Sequence, residues 1–260
     1  MSLYDNENKI IEAFQAEFEE KICMLPNTHD VYHILTSIYN KENWIKWNNS
    51  SKKNDPPPDF YNDELKIMMD VMRIDDHAFK NEKGKIINPT LQKENELYNK
   101  IINSDFIKSI KFKGNIIVTT KTELPSEEDH NYGYYLKNFI RVINKHNDKV
   151  SLYNSNHPNF KVIFFIFDES SAYFENENKK TIKKIGDNVK GKIHYWFLDK
   201  EFVDVIINAN IDYLIWYSPY KHYIGTNDEM IPRICIYDVK KLKTDILLKY
   251  DESKMDSVEI

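Results

Sequence analysis

The chain is poor in glycine, in cysteine and in long apolar runs, and each shortage excludes a class of protein. Its 260 residues include only 6 Gly, and none of them forms a GxGxxG or GxxxxGK[ST] pattern. A Rossmann dinucleotide site and a P-loop are therefore not expected. The 2 Cys, Cys23 and Cys235, are far apart and stand outside any CxxC pair, so the sequence indicates two buried thiols rather than a zinc ribbon.

The sequence also lacks a signal pattern and a segment of membrane length. The N-terminus is polar and acidic, without the basic and then apolar order of a signal peptide. The longest apolar run, residues 162–167, has the length of a buried strand and is too short to cross a bilayer. We therefore expect a cytoplasmic protein with no membrane partner. A net charge of −5 disfavours indiscriminate nucleic-acid binding but allows a local basic groove.

Patterns typical of strands and of helices alternate along the chain. Hydrophobic residues make up 41% and charged residues 30%, as in ordinary globular proteins. The patterns in the second half predict the strands 161–167, 192–198, 211–217 and 234–237 and the helices 132–144, 179–185 and 201–208. This order predicts one α/β domain over residues 1–260, with a mixed central sheet flanked by helices.

The first half of the chain predicts helices followed by a hairpin. Apolar stripes indicate helices over residues 8–24 and 29–48, which form an N-terminal helical region. A hairpin is expected within residues 56–75, a helix over 89–104 and a strand over 116–120. Residues 89–245 complete the α/β domain, and the polar tail 250–260 is expected to be frayed.

Two carboxylates belong to this hairpin. The segment Pro56-Pro57-Pro58-Asp59-Phe60 delivers the first, and Asp70 stands in the middle of the apolar strand that follows the turn. A charged residue inside a strand is costly unless it is paired or binds a cation. Carboxylate oxygens are the ligands that hard divalent cations prefer, so the pair predicts a metal site. The alternative to a metal site is that Asp59 is a turn residue and that Asp70 forms an ion pair with a nearby basic side chain.

This arrangement resembles the metal-binding core of the PD-(D/E)xK nuclease superfamily. The resemblance implies a restriction-endonuclease-like core that binds Mg²⁺ or Mn²⁺ and hydrolyses phosphodiester bonds, with nucleic acid as the partner. Asp59 matches the acid of the PD segment, and Asp70 matches the acid of the next strand. Glu17 is the best candidate for the third metal ligand, which the family takes from an early helix. The sequence does not indicate an oligomeric state.

The family's lysine, two residues after the second acid, is replaced by Met72. Lys66 is the nearest substitute and is our third candidate catalytic residue beside Asp59 and Asp70. It counts onto the same strand face as Asp70, although about 13 Å away at ~3.3 Å per residue. The departure at Met72 motivates an alternative function, a catalytically inactive binding or interaction protein on the nuclease fold.

Three other groups have a functional and a plain interpretation. Asp168 and Glu169 end a strand, where ligands often bind, but a helix cap made by Ser170 or Ser171 is favoured. Asp75-Asp76-His77 offers metal ligands, although a solvated loop is favoured for a spacing that matches no closed site. Lysines 179, 180, 183, 184, 190 and 192 would contact phosphate or form a solvated helix face.

Overall fold

A seven-stranded mixed sheet lies at the centre of the part of the chain that the structure describes. The structure is a computed structural model that describes residues 6–17, 22–50, 58–77, 79–105, 109, 124, 130–177, 191–221 and 231–258. The strand order is β1-β11-β10-β7-β4-β3-β2. Helices flank this sheet, and the whole is a single α/β domain, as the alternation of patterns predicts.

The N-terminal half supplies both edges of the sheet and the acid-bearing hairpin. Its elements are α1 (Glu7–Phe14), β1 (Ile22–Leu25), α2 (His29–Tyr39), α3 (Lys41–Trp44), β2 (Asn48–Asn49), β3 (Phe60–Asn62), β4 (Ile67–Ile74), β5 (Phe79–Lys80), β6 (Ile86–Ile87) and α4 (Pro89–Ile102). The short strands β5 and β6 pair with each other outside the main sheet.

The C-terminal half supplies the central strands. Its elements are α5 (Tyr132–Asn147), α6 (Val150–Asn156), β7 (Lys161–Asp168), β8 (Tyr173–Asn176), β9 (Gly191–Ile193), α7 (Lys200–Ile207), β10 (Tyr213–Tyr217), β11 (Ile234–Asp238) and β12 (Met255–Ser257). Strands β12, β8 and β9 form a separate small sheet.

Strand β7 is the middle of the main sheet and is buried on both faces. It runs parallel to β4 on one side and to β10 on the other. Val162, Phe164 and Ile166 pack into one core cluster, under α5 and α7. The alternate residues of the same strand pack into the second cluster, under α1 and α2. The prediction of a buried strand over 162–167 is confirmed, and its lack of polar alternation is explained by the cover on both faces.

The prediction of one helix over residues 8–24 is wrong at its C-terminal end. The helix α1 ends at Phe14, and Ile22 begins β1, which pairs in parallel with β11. The second expected helix, 29–48, is divided at Asn40, whose side chain caps α3, and it is followed by β2. Pairing with a strand more than 200 residues away decides the first difference, and no local pattern reports such a partner.

The helices 89–104, 132–144 and 201–208 are confirmed within a few residues by α4, α5 and α7. The strand expected over 192–198 is limited to Gly191–Ile193. Within the tail that was expected to be frayed, Met255–Ser257 form the strand β12, which pairs with β8. The predicted strand 116–120, the predicted helix 179–185 and the prolines at 56 and 57 lie outside the described residues.

Candidate metal sites

The hairpin β3–β4 places Asp59 directly across from Asp70. Phe60 pairs with Met69 in antiparallel register, so the preceding residue on one strand faces the following residue on the other. The turn is closed by the Asn62 side chain, which accepts a hydrogen bond from the backbone N–H of Leu65 at 3.0 Å. The predicted hairpin and its acid pair are therefore present in the structure.

The Asp59 carboxyl group is held between β3 and β4. Its Oδ2 accepts a hydrogen bond from the backbone N–H of Val71 at 2.9 Å, so the side chain takes the place of a ladder acceptor. Burial, followed by the charge of Asp70, raises the pKa of Asp59 to about 7. A carboxyl group that resists ionisation beside another acid is a group that a cation would stabilise in its charged form.

The Asp70 carboxylate is bound from the helical layer above the sheet. Its Oδ2 accepts a hydrogen bond from the Tyr153 hydroxyl at 2.7 Å and contacts Nδ1 of His146, in the last turn of α5. Asp70 is only 4% exposed, whereas 16% of the His146 side chain is exposed. The imidazole therefore connects a buried acid to the surface of the protein.

Lys66 is not brought to this acid pair. It lies in the turn before β4 with φ at 52°, so it does not continue the strand alternation on which its predicted position depended. Its Nζ lies over the ring of Phe160, 5.0 Å from the centroid. Met72, at the family's lysine position, is buried in the core on the same face as Asp70.

Glu17 is also not brought to the pair. It follows the end of α1, and its carboxylate binds Arg233 Nη1 at 3.0 and 3.1 Å and the Tyr217 hydroxyl at 3.0 Å. Helical counting failed because the helix ends before residue 17. The acid of α1 that acts on Asp59 is Glu7, whose charge contributes to the raised pKa.

A second cluster surrounds Asp76 just beyond the C-terminal end of β4, where the sequence favoured a solvated loop over a metal site; the loop is not solvated at Asp76, which is buried. Asp76 is fully buried, and its Oδ2 accepts hydrogen bonds from the Tyr173 hydroxyl at 2.5 Å and from the backbone N–H and hydroxyl of Ser171 at 3.1 and 3.2 Å. Burial opposes ionisation, but the hydrogen bond from His130 and the neighbouring charges outweigh it and lower the pKa of Asp76.

Two imidazoles complete this cluster. Nδ1 of His130 lies 3.0 Å from Asp76 Oδ2, and Nε2 of His77 lies 3.5 Å from Oδ1. One ligand atom from each of the three residues can be chosen so that all lie within 4.8 Å of one another. The sequence shows Asp76 and His77 together, but His130 is 53 positions away and no spacing rule connects it to them.

The strand-end residue Asp168 belongs to a buried ion pair rather than to a helix cap. Its Oδ1 accepts hydrogen bonds from the backbone N–H and hydroxyl of Ser170, and its Oδ2 lies 3.4 Å from Nζ of Lys221. Strand β8 follows, so no helix begins there. Lys221 also donates to the Ser171 carbonyl at 2.9 Å, and burial lowers the pKa of its ammonium group.

The predicted phosphate-binding lysines fall mostly outside the described residues. Of that set, the structure describes Lys192, whose Nζ donates to the Lys249 carbonyl at 3.0 Å and lies over the ring of Tyr250. In the described part of the chain, no helix combines the length and the apolar character needed to cross a bilayer. Comparison with family models, with curated proteins and with solved structures finds no match to this chain.

Proposed function

We propose that this protein is a divalent-metal-dependent nuclease with a restriction-endonuclease-like core, and that Asp59 and Asp70 bind Mg²⁺ or Mn²⁺. The observation that carries the proposal is the direct apposition of the two acids across the β3–β4 ladder. Two oxygen-rich groups from neighbouring strands are a donor set that suits a hard cation. Bound there, the ion would supply an activated water and would stabilise charge on the phosphate.

The early helix offers the third acid that the resemblance implies. The N-terminal end of α1 lies against β2, since Asn49 Nδ2 donates to Asn8 Oδ1 at 3.0 Å. Glu7 begins this helix, and its charge reaches Asp59. The helix acid is therefore better assigned to Glu7 than to Glu17, which Arg233 neutralises.

His146 is the group that we assign to proton transfer in place of the missing lysine. Its Nδ1 contacts Asp70, which orients the ring, and its side chain is partly exposed. An imidazole that is held through one ring nitrogen can accept a proton from water through the other. In this arrangement Asp70 positions the ring of His146 through Oδ2 and also binds the cation together with Asp59.

A catalytically inactive nucleic-acid-binding protein on the same fold is the second candidate. This candidate is supported by the absence of a lysine from both positions where one was expected near the acids. Met72, at the family's lysine position, is 3% exposed in the core, and the substitute Lys66 lies over the ring of Phe160. Among the described residues, Asp70 pairs with His146 and not with a lysine. Such a protein would keep the metal site and the fold but would not cleave.

Cleavage of labelled single- and double-stranded DNA and RNA with Mg²⁺ or Mn²⁺ tests the first candidate. Asp59→Asn should abolish cleavage while keeping the fold, because the amide still accepts the Val71 N–H but no longer supplies a charged ligand. His146→Gln should lower the rate at saturating Mn²⁺ by about 10²–10⁴-fold, as expected for a proton-transfer group.

The matched control is Glu64→Gln, which changes an exposed carboxylate of the same hairpin that pairs with Lys46 on the surface. It should cleave like the wild type. Wild-type Mn²⁺ binding without cleavage would select the inactive candidate, and cleavage that persists in excess EDTA would overturn both.

A further inference from the structure

We propose that Asp76, His77 and His130 form a second metal site, which takes one divalent first-row transition ion such as Zn²⁺. This site lies beyond the end of β4, six residues after Asp70, and shares no ligand with the acid pair. The inference therefore goes beyond the proposed nuclease function and does not depend on it.

One oxygen of the buried Asp76 carboxylate lacks a hydrogen-bond partner. Asp76 is 0% exposed, and its Oδ1 has no hydrogen-bond partner, whereas Oδ2 is bound by Ser171, Tyr173 and His130. A buried polar atom that lacks a partner destabilises the fold, and a charged atom does so most. A cation at Oδ1 would remove this cost.

The separation of the ligand atoms also fits a shared ion. Oδ1 of Asp76 and Nε2 of His77 are 3.5 Å apart, which is too long for a good hydrogen bond. Two ligands that each lie about 2.1 Å from one tetrahedral ion are separated by about 3.4 Å. The observed distance therefore fits two ligands of one ion better than it fits a direct bond between them.

Hydrogen bonds from neighbouring residues hold the ligands in position. Thr90 Oγ1, at the start of α4, lies 3.2 Å from Nδ1 of His77 and so orients the opposite nitrogen, Nε2, toward Asp76. Ser171 and Tyr173 fix the other carboxylate oxygen. Ligating imidazoles and carboxylates in metal sites are held by such outer hydrogen bonds, which set their tautomer and orientation.

The donor set selects the class of ion. Two imidazoles with one carboxylate suit Zn²⁺ and the neighbouring transition ions, whereas Mg²⁺ and Ca²⁺ prefer oxygen ligands alone. Three protein ligands leave at least one coordination position for water or a substrate. The side chains of His77 and His130 are 17% and 12% exposed, so an ion can reach the site from the surface.

The test is a Co²⁺ titration of the full chain, purified without a polyhistidine tag and stripped of metal with chelator. The visible absorption of bound Co²⁺ should saturate at one ion per chain, and Zn²⁺ should displace it. His77→Gln and His130→Gln should each weaken binding by more than the roughly 10–100-fold that loss of an outer partner costs. Zn²⁺ should also raise the thermal midpoint of the wild type but not of these variants.

Two control variants make the outcome specific. His33→Gln changes an exposed imidazole on α2 and should leave the Co²⁺ spectrum unchanged. Asp59→Asn should also retain the spectrum, so failure of the nuclease proposal and failure of this one are separable. A wild type without a stoichiometric Co²⁺ band would overturn the inference. Circular dichroism identifies a variant that has unfolded, and a band that persists unchanged in both folded histidine variants would overturn it equally.

Discussion

The acid pair of the hairpin lies at the middle of β4, and the cluster around Asp76 lies just beyond the end of the same strand. The two sites are nevertheless assembled differently. Asp59 and Asp70 are 11 residues apart and meet through one turn and one ladder. Asp76 meets His130 and Tyr173 through α5 and β8, which are distant in sequence. The first site is local and partly accessible, whereas the acid of the second is embedded in the fold.

This difference predicts that the two acids contribute oppositely to stability. Asp59 faces a like charge, so its removal relieves a repulsion. Asp76 accepts several buried hydrogen bonds, so its removal leaves donors without partners.

Asp76→Ala should destabilise the metal-free protein by about 3–5 kcal/mol, the range seen when one partner of a buried charged network is removed. Asp59→Ala should cost less than about 1 kcal/mol or stabilise the protein. Urea unfolding at pH 8 in EDTA measures both free energies of unfolding. Equal losses in the two variants would remove the contrast between the sites.

Asp59 should make stability depend on pH. Its pKa is raised from 3.8 in the unfolded chain to about 7 in the folded protein, so the folded state binds the extra proton between these values. Stability from this group is complete below pH 4 and is lost as the pH rises toward 7. In metal-free buffer, Asp59→Asn should therefore gain on the order of 1–3 kcal/mol relative to the wild type between pH 4 and pH 8.

The matched variant for this pH experiment is Asp63→Asn, which changes an exposed carboxylate in the turn of the same hairpin. Its unfolding curves should follow those of the wild type at both pH values. A wild-type stability that rises from pH 4 to pH 8 by the same amount in all three proteins would contradict the assignment to Asp59.

Thr90→Val should weaken transition-metal binding without removing a ligand. The hydroxyl of Thr90 orients His77, and loss of such an outer partner costs roughly 10–100-fold in affinity. Competition between Co²⁺ and a coloured chelator measures this change. Thr36→Val, on α2 away from the cluster, is the control and should bind Co²⁺ like the wild type. An unchanged affinity in Thr90→Val would mean that the hydrogen bond does not orient a ligand.

The smallest expected effect is the coupling between the two sites. Asp59→Asn combined with His77→Gln should change the free energy of unfolding by the sum of the single effects, within about 0.5 kcal/mol. The reason is that the sites share no ligand and that six residues separate Asp70 from Asp76, which is roughly 20 Å of extended chain at ~3.3 Å per residue. A larger deviation in urea unfolding would show that the two regions form one functional unit.

Local patterns were sufficient where the chain's own neighbours decide the structure. The uninterrupted apolar run of β7 predicted a strand covered on both faces, and the turn at Asn62 predicted the hairpin that brings Asp59 to Asp70. In both cases, the partners are set by burial or by a connection of a few residues. Apolar runs and turn residues can be recognised in a single sequence because they involve positions that are close along the chain.

Long-range pairing decided what the sequence left open. Ile22 became a strand residue because β11 pairs with it, and part of the tail forms the strand β12, which pairs with β8. Glu17 is bound by Arg233, more than 200 residues away, and His130 is brought to Asp76 by the packing of α5, the helix that follows it, on the sheet. The sequence by itself determined the central strand and the acid-bearing hairpin. The imidazole cluster was decided by the tertiary structure, because each of its contacts depends on where distant elements pack.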